Sequence, residues 1–289
     1  MKKNTDQPVI GVDLGGTKIL ASQISQAKVQ QSCKKSVPKG GSQAAVLEAI
    51  YEVIDPLFNT QIAGIGVGVP SVVDIEKGIV YDVQNIPSWK EVPLKSILQE
   101  RYKVPVYLNN DANCFAIGEH YFGEGRNYEN FVALIIGTGI AGGLVLKDQL
   151  YNGFNGGAGE FGMLPYLDHH IEYYASGQFF QNVHKTKGPL VFEQAKAGDE
   201  GALAMFEDLG HHIGHAIKAI LYTLDPEVII LGGSVAQAYP FFKKSLWKTV
   251  QTLAYSSVVK RLEIKISKNP EIAVLGAAAL CYDGFRNKI

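Results

Sequence analysis

An α/β fold of two domains is predicted by three observations. Short β-branched runs alternate with helical repeats, two places join strand to strand through a glycine turn with no helix between, and 46% of the 289 residues are hydrophobic. The length accommodates roughly two domains of ~150 residues. Strands are expected, in order, at 8–14 (PVIGVDL), 19–24 (ILASQI), 62–69 (IAGIGVGV), 104–108 (VPVYL), 131–136 (FVALII), 143–147 (GLVLK), 227–231 (EVIIL) and 262–266 (LEIKI). Each is short, rich in apolar and β-branched residues, and bounded by Gly, Pro or Asn. Between them, Val46, Ile50, Val53, Ile54 and Leu57 recur at helical spacing. So do Cys114, Phe115, Ile117 and Tyr121, and the longer series Leu203, Phe206, Leu209, Ile213, Ile217, Ile220 and Leu224, which follows an N-cap candidate at Asp199. The two glycine turns, DLGGTK at 13–18 and GTGIAGG at 137–143, open the two halves of the chain in the same way. That duplication predicts two similar domains, 1–112 and 113–271, each offering its hairpin to a shared cleft, with a helix from about 272 to 289 packing back on the first.

Composition excludes several function classes. Against 28 Asp+Glu stand 27 Lys+Arg, a formal net charge of -1, so the electrostatic footprint of a dedicated nucleic-acid binder is missing. The apolar content is too high for disorder. Cys33, Cys114 and Cys281 are odd in number and far apart, which argues against a disulfide scaffold and points to a reducing compartment. The first eight residues contain no apolar core of a leader, and no apolar run reaches the ~18 residues of a membrane span. A cytoplasmic protein without a membrane partner is expected.

Glycines at 15 and 16 permit a tight turn whose bare N–H groups can cradle phosphate oxygens, and Asp13, Thr17 and Lys18 add a metal-directed carboxylate, a hydroxyl and a cation. The order Gly-Thr-Lys and the strand-like ILASQI that follows separate this segment from a P-loop. A hairpin with a polar tip is the plainer reading. In the second turn, Gly137, Gly139 and Gly142 match G-x-G-x-x-G, but no helix opens at the third glycine, so a phosphate-gripping hairpin around Thr138 is preferred over a dinucleotide fingerprint. Asn110 and Asp111 follow the strand VPVYL and precede a helix, where open α/β sheets place ligands and where Asn and Asp also serve as ordinary caps. Glu160 in GGAGEFG and Glu172 in HHIEYYASG, taken with Asn85, Asn110 and Asp111, form a set of carboxylates and amides suited to a polyol. His211 and His215 lie one helical turn apart beside His212, with His169 and His170 upstream, yet no third ligand is spaced to complete a metal site. Gly233 and Ser234 close the buried run LDPEVIILGGSVA, where a glycine turn admits a flat ring or simply reverses the chain.

DLGGTK, NIPSW at 85–89, NNDAN at 109–113, GTGIAGG, GEFG at 159–162, EYYASG at 172–177, DPEVIILGGSV and AVLGAAAL at 273–280 occur in the order of the ROK family of bacterial sugar kinases and related repressors, which the chain resembles from about residue 9 to about 281. The resemblance implies an actin-like (ribonuclease H-like) two-domain fold of the sugar kinase and actin superfamily, with ATP, Mg²⁺ and a hexose or amino-hexose meeting in an interdomain cleft. It implies phosphorylation at the 6-hydroxyl and a homodimer. Asp111 matches the family's catalytic base, and Asn85, Asn110, Glu160 and Glu172 match sugar contacts. The first phosphate motif corresponds to Asp13, Gly15, Gly16, Thr17 and Lys18, the second to Gly137, Thr138 and Gly139, and the adenosine motif to Gly233 and Ser234. The alternative within the family is a non-catalytic sugar- or nucleotide-binding regulator.

Three departures qualify this expectation. Met163 stands where the family commonly has a His, no cysteine lies between Cys114 and Cys281, and Ser71 replaces the glycine usually found after Val-Pro. No structural zinc is therefore expected, and the sugar loses a polar partner, which weakens the case for glucose. The family's repressors carry a DNA-binding extension that the short polar stretch before the first strand does not match, so no nucleic-acid partner is expected.

Overall fold

Alternation within single strands builds the first half of the protein. The computed structural model describes residues 5–83 and 86–286 of the chain. Its first strands are β1 (Val9–Leu14), β2 (Lys18–Ser25) and β3 (Lys28–Ser36), joined as antiparallel hairpins. Helix α1 (Gln43–Ile54) follows, with Ser42 capping the Ala45 N–H and Val46, Ala49, Ile50, Val53 and Ile54 buried along one face. Then come β4 (Ile65–Val69), a small three-stranded sheet of β5 (Val72–Asp74), β6 (Ile79–Tyr81) and β7 (Glu91–Val92), helix α2 (Leu94–Tyr102), β8 (Val106–Asn110) and α3 (Asp111–Phe122). The main sheet runs β3-β2-β1-β4-β8, with β1, β4 and β8 parallel.

The segment GIGVGV at 64–69 shows how the layers are set. Ile65, Val67 and Val69 join Ile10, Val12 and Leu14 in one core with α1, whereas the glycines of the same strand turn to the opposite face. There the C-terminal helix (Ile272–Arg286) lies against the sheet backbone: a Cβ on Gly66 would sit 1.8 Å from the Ala277 carbonyl, and one on Gly11, the register partner of Gly66, 2.2 Å from that of Val274. The same helix packs on α3, where Gly276 abuts the Cys114 carbonyl and Gly118 the Ile272 carbonyl.

The second unit repeats the order. Strands β9 (Phe131–Ile136), β10 (Ile140–Leu146) and β11 (Gln149–Tyr151) lead into a 3-10 turn (Phe161–Met163), the hairpin β12 (Pro165–Tyr166) and β13 (His169–His170), and helices α4 (Ile171–Ala175), α5 (Phe179–Asn182), α6 (Gly188–Lys196) and α7 (Glu200–Leu224). Asp199 caps the Ala202 N–H at the start of α7. The chain closes this unit with β14 (Val228–Gly232), a 3-10 turn (Val235–Ala238), α8 (Tyr239–Val250), α9 (Ser256–Arg261) and β15 (Glu263–Ile266). Its sheet runs β11-β10-β9-β14-β15, again with the first strands antiparallel and the last two parallel to the first-formed strand. Two sheets of one topology give the actin-like α/β fold. Among the described residues no helix is long and apolar enough to cross a membrane.

The division differs from the expected one at residue 112. One unit comprises 1–127, 150–158 and 268–289, the other 128–149 and 159–267. Helix α3 stays with the first unit because its small residues pack on the C-terminal helix, and 150–158 returns to that unit through hydrogen bonds described below. Several strand limits also differ, two of them by three residues. β4 begins at Ile65 where 62 is expected, and β10 begins at Ile140 where 143 is expected, running through Ala141 and Gly142, which turn propensity assigns to a loop.

Candidate active site

In the first unit the parallel strands bring two acids near one another. Asp13, the penultimate residue of β1, pairs with Gly68 of β4, and Gly68 in turn pairs with Asn109 of β8. Asp111 opens α3, where a carboxylate is favoured by the helix dipole. Its Oδ1 accepts the Ala112 N–H at 2.8 Å. Asp111 is open to solvent, yet the protein around its carboxyl pushes its pKa up, and the backbone N–H bonds that favour ionisation do not offset this. Asp13 is half-buried, and burial raises its pKa too; Lys18 opposes the rise and the charge on Asp111 adds to it. Two carboxylates that each resist ionisation suit a general base beside a divalent cation.

Asn110 is the N-cap of α3, with Oδ1 accepting the Asn113 N–H at 2.7 Å. Capping therefore engages the oxygen of Asn110. Behind it lies a network that the sequence did not single out. Buried Asn109 donates to Asn152 Oδ1 at 2.8 Å, and Asn113 Nδ2 reaches Asn109 Oδ1 at 2.9 Å and Asn152 Oδ1 at 3.2 Å. The network ties the glycine-rich loop 152–158 to the strand-helix corner that carries Asp111. Asn109 and Asn113 stand within the NNDAN motif, so their proximity to the site was visible, whereas Asn152 gives no local signal.

The first glycine turn closes with the Gly15 N–H donating to the Lys18 carbonyl at 2.9 Å, which leaves Gly16 and Thr17 as the two-residue tip. Thr17 and Lys18 are exposed, and the Thr17 carbonyl accepts the Val37 N–H. Asn85 lies outside the described residues. The Ser71 hydroxyl donates to the Tyr81 carbonyl, so it is engaged within the first unit's own small sheet.

In the second unit, the parallel pairing of β14 with β9, Gly232 opposite Ile135, places the turn after β14 beside the turn after β9. Gly233 has φ +85, and a Cβ there would meet the Ile136 carbonyl at 2.4 Å, so both backbone and space demand glycine. Gly137, Thr138 and Ser234 then line one side of a cavity of about 440 Å³ whose opposite walls are Phe180, Phe192 and Phe206. Its size and apolar lining suit a flat heteroaromatic group with a polar tail at the turns. The aromatic walls come from α5, α6 and α7, and sequence patterning marked only Phe206, as a core residue.

Glu160 is exposed just before the 3-10 turn. Glu172 Oε2 accepts the Ile140 N–H at 2.9 Å and its Oε1 the Gln178 amide at 3.2 Å. The histidines belong to ring packing. His212 Nδ1 bonds the Tyr166 hydroxyl, His211 Nδ1 the Thr249 hydroxyl, and burial lowers the pKa of His212. Among the described residues no group of three or more His, Cys, Asp or Glu side chains is arranged to hold a metal.

The family model named ROK family matches residues 9–283. The chain belongs to the ROK family. It is 29% identical to a glucokinase of Thermotoga maritima, covering 94% of this chain and 96% of that one, and 28% identical to a glucokinase of Halalkalibacterium halodurans, covering 91% of each. A xylose repressor of Bacillus subtilis is 30% identical over 78% of this chain, which spans 62% of the repressor. Among solved structures, a ROK glucokinase from Streptomyces griseus in complex with glucose and AMPPNP superposes with a TM-score of 0.78 at 25% identity, covering 94% of this chain and 98% of that one. A ROK hexokinase from Thermus thermophilus gives 0.82 at 26%, with 97% and 99% covered. ROK membership thus joins this chain to sugar kinases along nearly its whole length, and to repressors along part of theirs.

Proposed function

We propose that this ROK protein transfers the γ-phosphoryl group of ATP to a hexose or amino-hexose, at the 6-hydroxyl. The observation that carries the reading is the pair Asp13 and Asp111, close enough for one charge to raise the other's pKa and stationed at the carboxyl ends of parallel strands. Asp111 takes the proton of the acceptor hydroxyl as its oxygen bonds to the γ-phosphorus and the bond to the β–γ bridging oxygen breaks, releasing ADP. The nucleotide base and ribose occupy the cavity edged by Gly233 and Ser234, with the phosphates at the adjoining turn Gly137–Gly139; the first unit's turn Gly15–Lys18 is a phosphate-binding motif by the family resemblance. Asn110 and Glu160 are the sugar-directed groups in this scheme.

Asp13, a hard oxygen ligand beside a second carboxylate, would hold a magnesium ion, which would supply neutralisation of charge on the transferring phosphate. Met163 is 53% exposed three residues after Glu160 and offers a thioether where a polar partner would favour glucose. The expected acceptor is accordingly an amino-hexose or another hexose before glucose itself.

A second reading, a sugar-binding regulator without turnover, draws on the xylose repressor relative. A coupled assay of ADP release over glucose, mannose, fructose, N-acetylglucosamine and N-acetylmannosamine separates the two. Sugar-dependent ADP release with at least one of these is expected. Measurable sugar binding with no release from any would favour the regulator.

A further inference from the structure

The corner that carries Asp111 is held by amides whose orientations follow from a single backbone group. The Asn110 N–H can only donate, and it meets Asn109 Oδ1 at 2.9 Å, so Asn109 turns its Nδ2 the other way, onto Asn152 Oδ1 at 2.8 Å. Asn113 then faces two oxygens, Asn109 Oδ1 at 2.9 Å and Asn152 Oδ1 at 3.2 Å, and gives its Nδ2 to both. Its own Oδ1 is left buried without a partner among the described residues. An unmet acceptor of this kind is a cost that an apolar corner would avoid, so an arrangement that keeps it calls for a reason beyond packing.

Asn152 serves the network with two groups at once. Its carbonyl accepts the Ala158 N–H at 3.2 Å and closes the neck of the loop 152–158, while its side-chain oxygen receives both Asn109 and Asn113, which stand on either side of Asn110 and Asp111. Farther along the loop Gly156, at φ +74, lies so near β5 that a Cβ there would meet the Val73 carbonyl at 2.9 Å. The loop is thus seated at two places in the first unit, and Asn152 is the residue that joins it to the corner of the base. We propose that Asn152 is a positioning residue for Asp111, its Oδ1 fixing the β8–α3 corner that presents Asn110 and Asp111 to the acceptor sugar. The inference rests on the kinase reading above and deepens it, giving the loop 152–158 a part in aligning the acceptor hydroxyl with its base.

Substitutions at Asn152 separate alignment from packing. Asn152→Ala takes the acceptor away from two buried amides, Asn109 and Asn113. Its kcat is expected to fall ~10- to 100-fold, the scale of a misplaced catalytic group, with the KM for ATP within about twofold of wild type. Asn152→Asp keeps an oxygen for both donors and should restore kcat to within about threefold of wild type at alkaline pH. Its added charge near Asp111 should carry the acid limb of kcat/KM to higher pH, a shift that a residue serving the fold alone would not give. In the ligand-free protein, hydrogen exchange at the Asn110 amide should accelerate roughly fivefold or more in Asn152→Ala and recover in Asn152→Asp. Unchanged kcat or unchanged exchange in Asn152→Ala, a kcat loss that Asn152→Asp does not restore, or an ATP KM that rises as far as kcat falls would overturn the proposal. Absence of sugar-dependent ADP release from the wild-type protein would instead overturn the kinase reading, and the exchange data alone would then decide whether Asn152 holds the corner.

Discussion

Replacing Asp111 by asparagine is expected to lower kcat by ~10²–10⁴-fold, the range for a lost general base, while sugar and nucleotide affinities stay within a few-fold of wild type. Asparagine keeps the oxygen that accepts the Ala112 N–H, so the start of α3 should be preserved and only the proton acceptor removed. The pKa direction adds two consequences. The base works only when ionised, and its pKa lies above the ordinary aspartate value of 3.8, so the acid limb of wild-type kcat/KM should fall at a pH higher than an unperturbed aspartate would give. For stability, the folded state binds this proton more tightly than the unfolded one. Stability therefore declines as pH rises from the unfolded value through the folded one, and the cost of the ionised carboxylate is fully present above that window. Asp111→Asn removes this cost, and its Tm at neutral pH should be no lower than that of wild type. A variant that turned over normally would place the base elsewhere, and one that melted far below wild type would make the lost activity a folding effect.

How far the sequence revealed this arrangement depends on the range over which each signal acts. The two glycine turns and the buried strands were legible because period-two alternation and turn chemistry are local. Strand β3 was not: KVQQSCKKS is mostly polar and exposed, as an edge strand can be, and only Val29 and Cys33 are partly buried, too few to declare a face. β10 extends over Gly142 because the Phe161 ring fills the space a side chain would take there, its nearest carbon 2.7 Å from the missing Cβ. A domain limit at 112 follows from the repeated hairpins alone; what keeps α3 in the first unit is a glycine on a helix more than 150 residues later. The same applies at the site. Asp111 and the two glycine turns stand in local motifs, whereas the union of Glu172 with Ile140 and of Asn152 with Asn109 joins residues 32 and 43 positions apart and exists only in the folded chain.

The glycine contact between sheet and C-terminal helix carries the largest expected stability change. In Gly66→Ala the new methyl would lie 1.8 Å from the Ala277 carbonyl oxygen and 2.8 Å from its carbon, and both are backbone atoms of a helix that cannot step aside as a flexible side chain would. The helix must lift from β4, loosening Val274, Leu275 and Ala278, which it buries on that face. Overpacking typically costs 1–3 kcal/mol, and this clash belongs at the upper end, about 3 kcal/mol, or ~6–12 °C in the Tm of the transition that reports the first unit. Gly11→Ala meets the same helix at Val274 in the adjoining register position, so a single displacement relieves both. The double variant should then lose less than the sum of the singles, a coupling that two independent cavities or surface sites would not show. Gly157→Ala, whose Cβ meets nothing within 4 Å, serves as the neutral comparison. Thermal melts of the four proteins check this: additive losses, or a Gly66→Ala variant as stable as wild type, would mean that the helix does not ride on these two strands.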